Sequence, residues 1–234
     1  MKNNLFGAHS YWTDKNWATM RNVRQKVANT AAQYGVDLWQ TEWSMLTNDS
    51  DYNPDEFPGY AAGTEMDHSI QMSRVIHNDL TVANCTSWSY WTSMDGGTAE
   101  HKNRFILIRL IPDGGDLTEG DGKYLATTNL WVLGNYSLFV RPGYVRISHD
   151  VENENYDFFG SSYLAPDNSR IVSVYTNSTD KTFYLQDEFD GRDAVMSIKT
   201  YTTSEDKQME PATVRVKDVV TIAPKSVVTV VYDL

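Results

Sequence analysis

Cysteine is nearly absent from this 234-residue chain, in which Cys85 stands alone. A single thiol excludes an internal disulfide framework and a four-cysteine zinc site, and is read as a small apolar core residue. Basic residues are also scarce: 20 Lys and Arg face 31 Asp and Glu, for a formal net charge of −11. That balance excludes the cationic face a nucleic-acid partner requires and disfavours an anionic membrane surface. No apolar run approaches the roughly 20 residues of a membrane span, so no membrane insertion is expected. Residues 1–20 lack a basic start followed by an apolar core, so no signal peptide is read in this chain. The five histidines show no HExxH spacing, and neither a glycine-rich phosphate loop nor a GxSxG elbow occurs. Asp49-Ser50-Asp51-Tyr52-Asn53 imitates a calcium loop, but Pro54 replaces its glycine and Tyr60 its bidentate glutamate, so an acidic surface loop is the reading. No cofactor and no metal site is expected.

Aromatic residues are plentiful by contrast, with 7 Trp and 14 Tyr. Trp12, Trp17, Trp39, Trp43, Trp88 and Trp91 all fall in the first 91 residues. Such rings suit the faces of sugars and the cores of proteins equally well.

The first half alternates short apolar runs with helical patterns. Asn4 to His9 reads as a buried strand, and Asn16 to Tyr34 as a helix closed by Gly35. A second strand is expected over Val36–Gln40, a loop over Trp43–Tyr60, a second helix over Ala61–Leu80 with Ile70, Val75 and Ile76 on its apolar side, and a third strand over Thr81–Trp88. This succession implies parallel pairing through right-handed crossovers, with reactive residues at the C-terminal strand ends. Phe105–Leu110 reads as a further strand and Lys123–Val140 as a third helix, stopped by Pro142. Arg141-Pro142-Gly143 is then the expected boundary between domains 1–142 and 143–234.

Past that boundary the pattern is β. Strands are expected at Tyr144–Ser148, Phe158–Leu164, Arg170–Tyr175, Thr182–Leu185, Val195–Thr202, Thr213–Lys217, Val219–Ile222 and Val227–Tyr232, the texture of a sandwich. Only three strand-helix units precede Arg141, whereas a closed (β/α)8 barrel takes roughly 250 residues. The first half is therefore either a small α/β sheet or the end of a larger barrel.

Glu42 follows the second strand in Asp37-Leu38-Trp39-Gln40-Thr41-Glu42-Trp43-Ser44, flanked by indoles. A carboxylate so placed can attack an anomeric carbon if a second acid protonates the leaving oxygen. It can equally be an ordinary loop residue. Its neighbours favour the chemical reading, because the first strand ends in His9-Ser10-Tyr11-Trp12 and the third in Trp88-Ser89-Tyr90-Trp91. All three strand ends thus carry polar-aromatic clusters, in which a phenol can hydrogen-bond the carboxylate and an indole can stack on a sugar.

The motifs His9-Ser10-Tyr11-Trp12 and Leu38-Trp39-Gln40-Thr41-Glu42-Trp43-Ser44, and the run from Leu133 through Arg141-Pro142-Gly143 to Ile147, resemble the C-terminal part of glycoside hydrolase family 30. The resemblance implies a fold of the α/β plus all-β class: the last three βα units of a (β/α)8 barrel, strands six to eight, followed by a β-sandwich. It implies that Glu42 is the nucleophile of a retaining glycosidase. His9, Tyr11, Trp12, Trp43, Trp88, Tyr90 and Trp91 would bind a polysaccharide or oligosaccharide. It also implies a secreted, periplasmic or cell-surface location. The family's acid/base, a Glu after Asn at the end of barrel strand four, is a position this chain does not contain, so the chain alone is expected to be inactive. Ser87–Gly97 holds no Arg or Lys to read a glucuronate carboxylate, which points to a neutral glycan. The His-Ser-Tyr-Trp and Trp-Ser-Tyr-Trp pairs most resemble endo-β-1,6-galactanase-like members. The alternative is a non-catalytic carbohydrate-binding protein with a degenerate cleft.

Overall fold

A computed structural model describes residues 4–97, 101–118, 120–152, 154–186, 188–189 and 195–234. They form two compact units that divide between Leu130 and Trp131.

In the first unit, β1 (Leu5–His9), β2 (Asp37–Trp43) and β3 (Cys85–Tyr90) form a parallel sheet in that order. Helix α1 (Trp17–Tyr34) joins β1 to β2, and α2 (Glu65–Thr81) joins β2 to β3. The local sequence sets the helix ends. Asn16 accepts the Thr19 N–H at 2.8 Å at the start of α1, and Gly35 closes it in the left-handed region at φ 59°. At the start of α2, Thr64 and Asp67 form a capping box. The expected strand at Thr81–Trp88 starts late, because α2 runs on through Thr81, whose hydroxyl bonds the His77 carbonyl at 2.7 Å. Asn84 then turns the chain at φ 58° and is exposed, not part of a buried strand. Helix α2 is also buried on more than one side: Ile70, Val75 and Ile76 are joined in the interior by His68, Gln71, Arg74, His77 and Asp79.

Downstream, β4 (Met94–Asp95) pairs in parallel with β5 (Ile108–Pro112), which pairs antiparallel with β6 (Gly122–Ala126). The expected helix at Lys123–Val140 is therefore corrected. Its first part is strand β6, and helix α3 spans only Thr128–Ser137. Five residues of Gly-Lys-Tyr-Leu-Ala carry too little alternation to separate an edge strand from a helix start.

The second unit is antiparallel. Its large sheet has the order β12-β11-β14-β9-β8-β7, built from β7 (Val145–Ile147), β8 (Phe158–Leu164), β9 (Arg170–Asn177), β11 (Ser197–Thr203), β12 (Glu210–Val214) and β14 (Ser226–Asp233). A second sheet pairs β10 (Phe183–Leu185) with β13 (Val220–Ile222). Phe158, Ile171, Tyr175, Val228, Val230 and Tyr232 of the large sheet form one buried core with Val220 and Ile222. The strand expected at Thr213–Lys217 lies earlier, as β12, an edge strand in which Pro211 costs no ladder bond on its open side. Buried Asn135 ties α3 to this sheet. Its amide donates to the Tyr201 carbonyl and to Thr229 Oγ1, both at 2.9 Å, and accepts from Thr203 Oγ1 at 2.6 Å.

Candidate active site

The carboxylate of Glu42 lies at the C-terminal end of β2, and its side chain is 36% exposed. Two of the three register shifts in the sheet lie beside it. Down to Ala8 and Gln40 the partners of β1 and β2 advance in step, but His9 is opposite Glu42, so Thr41 is the extra residue. A second shift separates the Gln40–Trp88 pair from the Trp43–Tyr90 pair. In a regular ladder His9 would face Thr41, and a one-residue slip reverses which side of the sheet a side chain takes.

The polar partners of Glu42 among the described residues come from the end of β1. The Tyr11 hydroxyl donates to Glu42 Oε1 at 2.7 Å, and His9 Nδ1 stands 3.7 Å from the same oxygen. Burial, followed by the hydrogen bond to Glu42 and the charge of its carboxylate, holds the Tyr11 phenol well above its usual value near 10. Tyr11 thus keeps its proton at neutral pH and donates a hydrogen bond to the carboxylate. Both groups approach Oε1, and among the described residues no hydrogen bond reaches Oε2.

The rings assemble in two sets. His9 meets Tyr11 edge-on at 5.5 Å, and Trp12 packs beside Tyr11 at 5.6 Å with its own face mostly open to solvent. Trp43, Trp88 and Tyr90 form a second set, with centroids 6.1–6.3 Å apart. Trp43 is only 1% exposed, so its indole belongs to the interior. The Tyr90 hydroxyl donates to the Arg104 carbonyl at 2.6 Å and accepts from Asn129 Nδ2 at 3.2 Å. Trp91 is exposed, and its backbone N–H bonds the Trp43 carbonyl at 3.0 Å.

Sequence reasoning missed the residue that ties these parts together. Asp79, on α2, is buried and accepts three different donors. Ser10 Oγ bonds both its oxygens at 3.0–3.1 Å, Arg24 Nε bonds Oδ1 at 2.8 Å, and Trp88 Nε1 bonds Oδ2 at 2.9 Å. One carboxylate therefore anchors the residue next to Tyr11 and the indole at the end of β3. Arg24 adds bonds from Nη1 to Thr13. Gln40, also buried, accepts the Ser89 N–H at 3.0 Å and links β2 to β3. The sequence signal was weak, because nothing in the sequence pairs an Asp on one helix with an Arg on another 55 residues away. Among the described residues, no group of three or more His, Cys, Asp or Glu side chains comes together to hold a metal ion. No helix among them is long and apolar enough to cross a membrane. The Cys85 thiol is pushed up to about 12, chiefly by burial.

Comparison with known proteins gives this geometry a context. Residues 2–103 match the model of O-glycosyl hydrolase family 30. The glucuronoxylanase XynC of Bacillus subtilis is 24% identical over 211 residues, which are 89% of this chain and 40% of that protein. The crystal structure of a conserved exported protein from Bacteroides fragilis is 25% identical, with a TM-score of 0.80 over 97% of this chain and 46% of that one. A family 30 endoxylanase from Clostridium papyrosolvens C71 shares the fold at 19% identity, with a TM-score of 0.67 over 98% of this chain and 49% of that one. The chain spans less than half the length of each. Its fold is the C-terminal portion of a (β/α)8 barrel followed by a β side domain.

Proposed function

We propose that this chain, whose residues 2–103 match the model of O-glycosyl hydrolase family 30, supplies the nucleophile of a retaining glycosidase acting on a neutral glycan. The observation that carries the reading is the one-sided support of Glu42, with Tyr11 and His9 both at Oε1. A carboxylate that receives a phenolic hydrogen bond on one oxygen is held in the orientation in which the other can attack. Oε2 would bond to the anomeric carbon as the glycosidic C–O bond breaks, giving a glycosyl ester. The leaving oxygen takes its proton from a second carboxyl, and water then hydrolyses the ester. By the family resemblance that proton donor is a Glu at the end of barrel strand four, in the part of the relatives that this chain does not span.

Trp12 and Trp91, exposed indoles that follow the ends of β1 and β3, would offer faces to sugar rings, with Trp88 at the cleft edge. Trp43, which is buried, and Tyr90, whose hydroxyl is bonded to the Arg104 carbonyl, would act as support beneath them. The absence of Arg and Lys from Ser87–Gly97 favours an uncharged substrate. Within that class the strand-end motifs favour a β-1,6-galactan, whereas the B. subtilis and C. papyrosolvens relatives are xylanases. Action on an extracellular polysaccharide would place the protein outside the cytoplasm, in keeping with the exported B. fragilis protein.

The test is Glu42→Gln in a polypeptide that includes the remaining barrel units, assayed on β-1,6-galactan, arabinoxylan and glucuronoxylan. The substitution should lower kcat/KM at least about a thousand-fold, a loss of ~4 kcal/mol of transition-state stabilisation, with the fold intact. Near-normal turnover would reject the assignment. Binding of these glycans without hydrolysis by the unsubstituted protein would favour the carbohydrate-binding alternative.

A further inference from the structure

The second unit contains a cleft of about 670 Å³ that the proposed chemistry does not use. Its floor interrupts the pattern of the large sheet. On the core side of β8 and β9 the paired positions run Leu164 with Ile171, Ser162 with Ser173, and Gly160 with Tyr175. The core around them is apolar, yet at the middle step two buried serines stand side by side with their hydroxyls 2.6 Å apart. Ser162 Oγ also bonds His149 Nδ1 at 2.5 Å. Two neighbouring hydroxyls on an apolar core face cost desolvation wherever they are not fully bonded. A row serving packing alone would carry Val or Leu there and close the space. Here the space stays open above the serine pair.

The walls define what fits. Tyr175 and Phe189 bring aromatic rings, and Asp150 and Glu188 bring carboxylates. Among the described residues neither Lys nor Arg lines the cleft, and Asp150 and Glu188 disfavour a phosphate or uronate there. No metal-holding cluster occurs among the described residues, and a polar floor disfavours a purely apolar guest. Hydroxyl, imidazole and carboxylate acceptors beside aromatic faces suit a neutral polyhydroxylated ring, whose hydroxyls donate to the acids while a C–H face rests on an aromatic ring. The volume falls within the roughly 300–1,000 Å³ of small-molecule sites.

We propose that this cleft, floored by Ser162, Ser173 and His149, is a second saccharide-binding site, separate from Glu42 and taking an uncharged sugar unit. It stands on residues of the second unit alone and does not depend on the nucleophile assignment. Calorimetric titration of the 234-residue chain with xylotriose, and with β-1,6-galactotriose, tests it. At least one should bind with a dissociation constant below about 10 mM, and Ser173→Val should weaken that binding at least about ten-fold. Glu188→Gln, on the exposed rim where folding is not at stake, should weaken it several-fold, and Glu42→Gln should leave it unchanged. Three outcomes overturn the proposal: neither trisaccharide binds, binding survives both cleft substitutions, or Glu42→Gln alone abolishes it.

Discussion

Replacing Asp79 with Ala should be among the most damaging single changes in the first unit. Asp79 and Arg24 are only 2% and 3% exposed, and their 2.8 Å contact is a buried ion pair. Removing the acid leaves a guanidinium in the interior with its charge unpaired, a mechanism worth about 3–5 kcal/mol. The Trp88 N–H and the Ser10 hydroxyl lose their acceptor as well, each bond to a carboxylate being worth about 1.5–3 kcal/mol in isolation. These terms overlap, and water can reach the half-buried Ser10, so the expected total is about 4–5 kcal/mol. Against a stability of about 5–15 kcal/mol that is a large fraction, and it corresponds to a fall in Tm of roughly 8–20 °C for a chain of this size.

A double-mutant cycle of Arg24→Ala, Asp79→Ala and the double variant, followed by urea denaturation, isolates the pair. Each single variant strands one charge, whereas the double variant strands none. Its destabilisation should fall short of the sum of the singles by at least about 2 kcal/mol. Additivity within ~0.5 kcal/mol would refute the reasoning, because it would mean that both charges are hydrated and the apparent anchor is incidental. Should Asp79→Ala fail to fold, Asp79→Asn supplies the first arm of the cycle, since it keeps an acceptor for Trp88 and removes only the charge.

Asn135→Ala, measured by the same denaturation, should cost about 2–4 kcal/mol, because it deletes three buried hydrogen bonds and leaves the Tyr201 carbonyl and two threonine hydroxyls without them; a cost below about 1 kcal/mol would show that α3 is not held by this side chain. Asp14 is buried, and burial raises its carboxyl above the usual range despite bonds from Thr47 Oγ1 and Tyr52 Oη. A raised carboxyl favours folding at low pH, and that contribution is lost as pH rises through its folded value. Asp14→Asn should therefore gain stability relative to the parent as pH rises from about 4 to 7, and parallel pH profiles for the two proteins would contradict this.

Much of the frame was legible because it rests on local chemistry. Asn16 and Gly35 bracket α1 in the sequence as they do in the fold, and the strand ends at His9, Trp43 and Tyr90 carry the aromatic-polar clusters that the pattern marked. Elements failed where local preference and tertiary placement disagree. Thr81-Val82-Ala83 is β-branched and apolar like a strand, yet it finishes and caps α2. The segment around Tyr124 and Leu125 is strand with both side chains largely exposed, so no buried face imprinted a period on it. Asp79 and Arg24 were illegible for a deeper reason. Charge on a helix reads as solvated unless its partner is known, and that partner lies 55 residues away.

The decisive geometry of the candidate site is also the part no pattern announces. Glu42 and His9 face each other only because Thr41 is inserted out of step between the strands. The insertion has its own supports: Thr41 Oγ1 bonds the Ala8 carbonyl at 3.2 Å, and a Cβ at position 7 would stand 3.0 Å from Thr41 Cγ2, closer than a relaxed contact. Gly7 thus makes room for the threonine whose displacement turns the next carboxylate toward Tyr11. A regular ladder would place Thr41 beside His9 and direct Glu42 away from the phenol. The carboxylate is therefore presented by three coupled features, a glycine without a side chain, a register shift and a hydrogen bond from the end of the neighbouring strand. Only the last of these involves a residue type that sequence reasoning associates with catalysis.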